Sequence, residues 1–258
     1  MGTPADDVAR LLRRTWEVQG LAATTIEKRL VLLRHVGGTQ ATYDSIMGYL
    51  STVTHPATRR TCVSYLRTTF RALLALGLIT TDPTVLVPKP KAPKWQPDPL
   101  TPQEVATLEQ GLTGEVAEWF TLALYAGLRA CELATVEGKW LRDTYDGPTL
   151  RVAGKGGTDL SIPAHPKVVE LLKHKPHGRL YEPDAKLLAK QAKRAINRLG
   201  VPGGIHRARH TFAMRVLQAS DGDLLVVRDL LRHASVATVQ HYVSCLPNQP
   251  RRVLESIA

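Results

Sequence analysis

Residues 81–102, TDPTVLVPKPKAPKWQPDPLTP, decide how this chain is divided. Prolines stand at 83, 88, 90, 93, 97, 99 and 102. Proline fixes φ and removes a backbone donor, so a run this dense belongs to neither a helix interior nor a sheet. It is predicted to be a linker over residues 86–100, joining a first domain at 1–85 to a second at 101–258. A chain of 258 residues is long enough for two such domains. Lys89, Lys91 and Lys94 lie on a semi-rigid extended backbone that can follow a row of phosphates; solvated linker charge is the commoner reason for such residues.

Upstream of the linker the pattern is helical throughout. Residues 4–18 form a first helix. TTIEKRLVLLRHVGG follows, with a threonine to cap it and a glycine to stop it; TYDSIMGYL is third and ATRRTCVSYLRTTFRALLAL the longest. On the last, Arg60, Arg67 and Arg71 fall at i, i+7 and i+11 on one face, with Leu66, Phe70, Leu73 and Leu74 on the core side. That basic face can lie against DNA, or be an ordinary solvated face.

Downstream, LTPQEV opens a helix with Thr101 as cap, Pro102 at its first position and Glu104 closing a capping box. Helices are predicted at 114–127, 129–136, 166–174, 185–199, 206–219, 223–233, 235–245 and 249–257. Between them TLRVAGKGGTDLSIPA alternates around a glycine-rich turn and reads as a hairpin. The fold class is thus mainly α with a small β-sheet.

Composition narrows the function. With 43% hydrophobic and 22% charged residues and no long apolar run, a globular, non-membrane chain is expected. The first twenty residues lack the uninterrupted apolar stretch of a signal peptide. Cys62, Cys131 and Cys245 are isolated, matching neither a disulfide framework nor zinc-ligand spacing, so a cytoplasmic location is expected. Net charge is +11, and the excess is spread: 10 basic against 6 acidic residues in 1–85, 3 against 1 in 86–100, 21 against 16 in 101–258. Such a surface attracts polyanions, nucleic acid above all.

The GKGG turn is not a phosphate-binding P-loop, because Thr149 stands where that motif needs glycine and Gly156 where it needs serine or threonine. HExxH, an acidic calcium loop, GxSxG and a two-metal carboxylate cluster are also missing, so no cofactor is expected. What remains is basic residues and a tyrosine. In YAGLRACEL, Glu132 lies three residues after Arg129 and can hold its guanidinium. In IHRARHTFA, His206 and Arg209 share a helical face; Lys155 sits at the hairpin tip, and His233 ends a helix whose dipole favours a protonated ring. Arginines can grip non-bridging phosphate oxygens while lysine or histidine moves protons, which makes a metal-free kit for phosphoryl transfer with Tyr242.

The boxes AGLRACEL, VAGKGGTDLSIPA, IHRARHTFA and LLRHASVATVQHY, in that order, resemble the arginine box, lysine hairpin, HxxR box and histidine-to-tyrosine box of the tyrosine recombinases, the family of phage integrases and Xer-type resolvases. The resemblance covers essentially the whole second domain. It implies a two-domain architecture of a four-helix core-binding domain and a mixed α/β catalytic domain, in an arm-less form lacking the extra N-terminal domain of larger integrases. It also implies site-specific DNA recombination through a 3′-phosphotyrosine, without metal or ATP. Tyr242 would be the nucleophile, Arg129 and Arg209 the phosphate clamp, Lys155 the proton donor to the leaving oxygen, His206 an aid to proton transfer at Tyr242 and His233 a hydrogen-bond partner of the phosphate. The implied partners are a double-stranded core site with inverted repeats and further copies of the chain, as a dimer on one site and a tetramer in synapsis. A phage or mobile-element integrase acting in viral genome integration is the first reading, a Xer-like chromosome or plasmid resolvase the close alternative, and a non-catalytic DNA-binding protein of this fold the distant one. Ala208 and Arg232 depart from the family pattern, which usually has leucine and glycine there. Thr158 and Leu160 stand where basic residues are frequent, and Val253, Leu254 and Ile257 give the tail an apolar face that packs either on a neighbouring copy or on its own domain.

Overall fold

Side-chain caps set several helix starts. The structure, a computed structural model, describes residues 4–91, 96–153, 159–233 and 235–245. It divides into two compact units, 1–94 and 95–258. Lys94, Lys155 with its GKGG turn, Thr158, and the tail with Val253, Leu254 and Ile257 lie outside the described residues.

In the first unit, α1 (Pro4–Val18), α2 (Ala23–His35), α3 (Tyr43–Thr52) and α4 (Pro56–Ala75) enclose a core built on Leu12, Trp16, Ile26, Ile46, Leu66 and Phe70. Thr42 caps α3, its hydroxyl accepting from the Ser45 N–H while Ser45 returns a bond to the Thr42 N–H. The threonine cap expected for α2 is not there: the helix starts at Ala23, behind Ala22, so Thr24 and Thr25 fall inside its first turn. Leu74, expected in the core, is 41% exposed, whereas Leu66, Phe70 and Leu73 are buried.

The proline-rich stretch begins by packing on this unit. Val87 is buried, the Arg67 guanidinium donates to the Val87 carbonyl at 2.8 Å, and Arg60 to that of Pro90 at 2.6 Å. Two of the three arginines expected to face DNA thus hold linker carbonyls. Arg71, Lys89 and Lys91 are exposed.

The second unit begins with α5 (Pro102–Gly111), where Thr101 and Glu104 close their capping box. Then come α6 (Gly114–Tyr125), the single turn α7 (Ala130–Leu133), an antiparallel sheet in the order β1 (Leu141–Thr144), β2 (Gly147–Ala153), β3 (Asp159–Pro163), and α8 (Pro166–Leu172), α9 (Ala185–Arg198), α10 (His206–Ala219) and α11 (Leu224–Leu231). Leu150 pairs with Leu141 and Ile162, so the sheet's apolar face meets the helical core around Trp119, Phe120, Leu122 and Leu188. β1 was not expected; Arg-Asp-Thr follow its one leucine, and the pattern carries no alternating apolar signal.

Residues 235–245, expected as one α-helix, instead form 3₁₀ turns at Val236–Thr238 and Gln240–Cys245. The spacing explains this. Val236, Val239 and Tyr242 recur every three residues, which lines them up at three residues per turn but fans them out at 3.6. Val239 and Tyr242 are buried with Ala213, Leu217, Val227 and Leu231, and Val236 packs against them.

Gly127 joins α6 to the next turn at φ +60, and a Cβ there would lie 2.5 Å from the Phe212 ring of α10. Both the left-handed backbone and the close ring demand glycine. Gly127→Ala is expected to destabilise the protein by about 2–4 kcal/mol, from backbone strain plus overpacking. Urea denaturation with an unchanged slope and a lower midpoint would register it.

Candidate active site

The turn carrying Arg129, the start of α10 and the end of α11 converge on one carboxylate. Arg129 precedes α7, and its backbone N–H donates to Glu132 at 2.7 Å while its guanidinium donates to the other carboxylate oxygen, also at 2.7 Å. Arg232 reaches Glu132 from the end of α11 at 2.9 Å, and Arg209 lies 3.8 Å away. Burial alone raises the Glu132 pKa, but Arg232, the Arg129 N–H and the Arg209 and Arg129 charges outweigh it and hold the carboxyl below its ordinary value. Glu132 is thus an anion shared by three cations.

Arg209 is 2% exposed. Its guanidinium donates to the carbonyls of Gly127 and Leu231 and points its remaining edge at the His233 Nε2, 2.9 Å away. Arg129 approaches the same Leu231 carbonyl at 3.4 Å. Burial, with Arg129 and Arg232 nearby, draws the Arg209 pKa down to about 9, which leaves it cationic at neutral pH. Arg129 and Arg209 therefore stand side by side as donors, Arg129 about one third exposed.

α11 ends at Arg232, a non-glycine residue in the left-handed region at φ 56, ψ 47, with the His233 N–H closing on the Arg228 carbonyl at 3.0 Å. Glycine would adopt this conformation without strain. The arginine side chain supplies the compensation: it donates to the carbonyls of Ala126, Gly127 and Leu230 as well as to Glu132. It thereby ties the end of α11, and His233 after it, to the turn that presents Arg129. The sequence marked Arg232 only as a departure, since nothing local reveals a bond to a residue 100 positions away.

The expectation of a protonated His233 is corrected. Burial, then the charges of Arg209, Arg129 and Arg232, push its pKa down to about 4. A neutral ring accepting from Arg209 at Nε2 carries its proton on Nδ1, which donates to the Thr238 hydroxyl at 2.7 Å. Thr238 in turn donates to the Ser235 carbonyl. Burial together with three neighbouring guanidiniums outweighs the helix dipole here.

His206 begins α10 and is exposed; its ring meets that of His210 edge-on at 4.4 Å between centroids. The Tyr242 ring is 3% exposed, and its hydroxyl lies 2.8 Å from His210 Nδ1. So His210, which the sequence reading passed over, stands where His206 was expected. Their spacing of four on one helix was the available signal. Lower on α10, the Thr211 hydroxyl accepts from the Leu100 N–H at 2.8 Å and Arg207 bonds Glu104, fixing the start of this unit to the helix that carries Arg209.

Two arginines, histidines and a tyrosine are thus assembled on one mainly helical unit. The family model described as the phage integrase family matches residues 101–248, and the chain belongs to that family, the tyrosine recombinases. It is 29% identical to the tyrosine recombinase XerC of Ralstonia pickettii over 204 residues, 64% of this chain and 62% of that protein. The XerC of Rhodospirillum centenum is 32% identical over 213 residues, 72% of this chain and 61% of that one. The chain thus spans just under two thirds of these relatives. Among solved structures, a lambda integrase dimer bound to a COC′ core site shares the fold with a TM-score of 0.72 at 18% identity, over 92% of this chain and 94% of that one.

Two outcomes test the electrostatics. Glu132→Gln leaves buried guanidiniums without their anion and is expected to destabilise the protein by about 3–5 kcal/mol. For the histidines the sign is fixed by direction: the unfolded chain takes up protons as pH falls through about 6.5. The folded sites at His210 and His233 do so only near 4. Stability is therefore fully present above about 6.5 and lost as pH falls toward 4. Urea melts across that window should show the decline, and His233→Gln should make it shallower; an unaltered slope would contradict a neutral His233.

Proposed function

We propose that this protein is a site-specific recombinase that cuts and rejoins DNA strands through a 3′-phosphotyrosine formed on Tyr242. The observation that carries the reading is the joint placement of Arg129, Arg209 and His233 around the Leu231 carbonyl, within the stretch matched by the family model. The scissile phosphate would take the donors that Arg209 gives to His233 and that Arg129 leaves exposed, so the clamp gathers strength as charge builds on the non-bridging oxygens. Tyr242 attacks phosphorus, the 5′ oxygen leaves, and Lys155 protonates it. Because the phosphotyrosine keeps a phosphodiester in place of the one broken, a 5′-hydroxyl reverses the step with no outside energy source. Assembly follows as a dimer on an inverted-repeat core site and a tetramer when two sites meet. The net charge of +11 suits that partner.

Two finer readings share this chemistry. The expected integrase joins sites on separate molecules; a Xer-type resolvase acts on paired chromosomal or plasmid sites. Identities of 29% and 32% to XerC proteins favour the resolvase. Recombination of two sites on one plasmid, compared with sites on two plasmids, separates the readings.

The test of the class is covalent trapping on a nicked suicide duplex. Its sequence comes from binding selection out of a randomised duplex pool, and neither metal nor ATP is added. Wild type is expected to give a protein–DNA adduct that Tyr242→Phe abolishes. Arg209→Ala is expected to slow adduct formation by roughly 10²–10³-fold, the cost of one oxyanion donor. Binding without an adduct from wild type would overturn the enzymatic reading in favour of a non-catalytic DNA-binding protein.

A further inference from the structure

Resting on that reading, we propose that His210 is a catalytic residue: it takes the proton from the Tyr242 hydroxyl as phosphorus is attacked and returns it when the strand is rejoined. The family resemblance points to His206 for this task. The geometry points one helical turn further along.

His210 Nδ1 lies 2.8 Å from the Tyr242 oxygen, within the reach a general base needs. The ring is 7% exposed and cannot be replaced at that hydroxyl by a mobile surface group. Its tilt against the phenol, 48° with centroids 5.9 Å apart, brings edge to hydroxyl rather than face to face. The His206 ring meets that of His210 edge-on, and it is His210 whose Nδ1 bonds the Tyr242 hydroxyl. Among the described residues, His206, Arg207 and Arg209 on its own helix and Tyr242 on the turn at 240–245 act on His210. Burial, with His206, Arg209 and Arg207, pushes its pKa down to about 4, so the ring is neutral at physiological pH and Nδ1 has a lone pair to offer. A neutral ring accepting at Nδ1 carries its hydrogen on Nε2.

The step balances. The Tyr242 O–H bond breaks as the O–P bond forms, and the proton moves to Nδ1 of His210. The P–O5′ bond breaks, and the 5′ oxygen takes its proton from Lys155. In the reverse direction the 5′-hydroxyl attacks, the phenolate leaves, and His210 gives the proton back. Arg209, one residue before His210 on the helix, holds the phosphate while this happens, so one turn of α10 serves both reacting partners.

The test is single-turnover cleavage against pH on two versions of the selected duplex, one with the native phosphodiester and one with a 5′-bridging phosphorothiolate, whose thiolate leaves without a proton. The variants are His210→Asn, His210→Ala, His206→Gln and Lys155→Ala. Asparagine places an amide oxygen near the position of Nδ1, keeping a hydrogen bond to the phenol but unable to take its proton. His210→Asn is expected to cleave roughly 10²–10⁴-fold more slowly at pH 7, with a loss that persists on the phosphorothiolate and shrinks as pH rises toward the ordinary tyrosine value of about 10. Lys155→Ala should be restored by the phosphorothiolate, His206→Gln should lose much less than His210→Asn, and added imidazole should partly rescue His210→Ala. His210→Asn cleaving like wild type, or a loss in both His210 variants that neither pH nor imidazole changes, would overturn the proposal while the Tyr242 adduct still stood. Absence of any wild-type adduct on the bound duplex would take down the recombinase reading and this one with it.

Discussion

Glu132 is the pivot of the second unit. Its side chain is 7% exposed and lies against Arg129, Arg209 and Arg232, three guanidiniums drawn from three separate stretches of the chain. Burying like charges together is costly, and one shared anion with several backbone carbonyls as acceptors offsets that cost. The carbonyls are those freed where helices end: Ala126 and Gly127 after α6, Leu230 and Leu231 at the end of α11. The same unsatisfied groups that any helix terminus must dispose of here orient the candidate phosphate clamp.

This dependence explains why strain is accepted at Arg232. A glycine at φ 56 would end α11 without strain, yet it would lose the bonds that Arg232 makes to Ala126, Gly127 and Glu132. The arginine adds bonds across the gap, so His233 and Arg129 are held to a common frame. Preorganisation of this kind matters because a misplacement of about 1 Å costs about 10²-fold in rate.

Much of this was legible in the chain. The Arg129–Glu132 pair followed from helical spacing and the cap at Thr101 from its neighbours, because each rests on residues within a few positions of one another. The unread features are long-range. That Arg60 and Arg67 serve the linker depends on residues 20 and 30 positions on, and the neutral state of His233 depends on three arginines that converge only in the fold. The 235–245 segment was misjudged for another reason: its apolar residues repeat every three positions, and the choice between 3.6 and three residues per turn is made by the pocket that receives Val239 and Tyr242.

The charge balance also bears on how such a site accepts its substrate. Three guanidiniums face one carboxylate, and His210 and His233 are neutral at physiological pH, so the centre is short of negative charge. A phosphodiester supplies an anion. The Arg209 edge that now meets the His233 Nε2 is the donor most readily exchanged, because a neutral acceptor gives way to a charged one that is roughly twice as strong. His233 would then be freed to turn toward the same phosphate. The Tyr242 hydroxyl is tied to a different histidine, so on the proposed reading the arginines would rearrange around a phosphate without disturbing that bond. Under the proposed chemistry, Arg209 and His210, adjacent on α10, would serve the phosphate and the Tyr242 hydroxyl respectively, with His233 contributing from the end of α11.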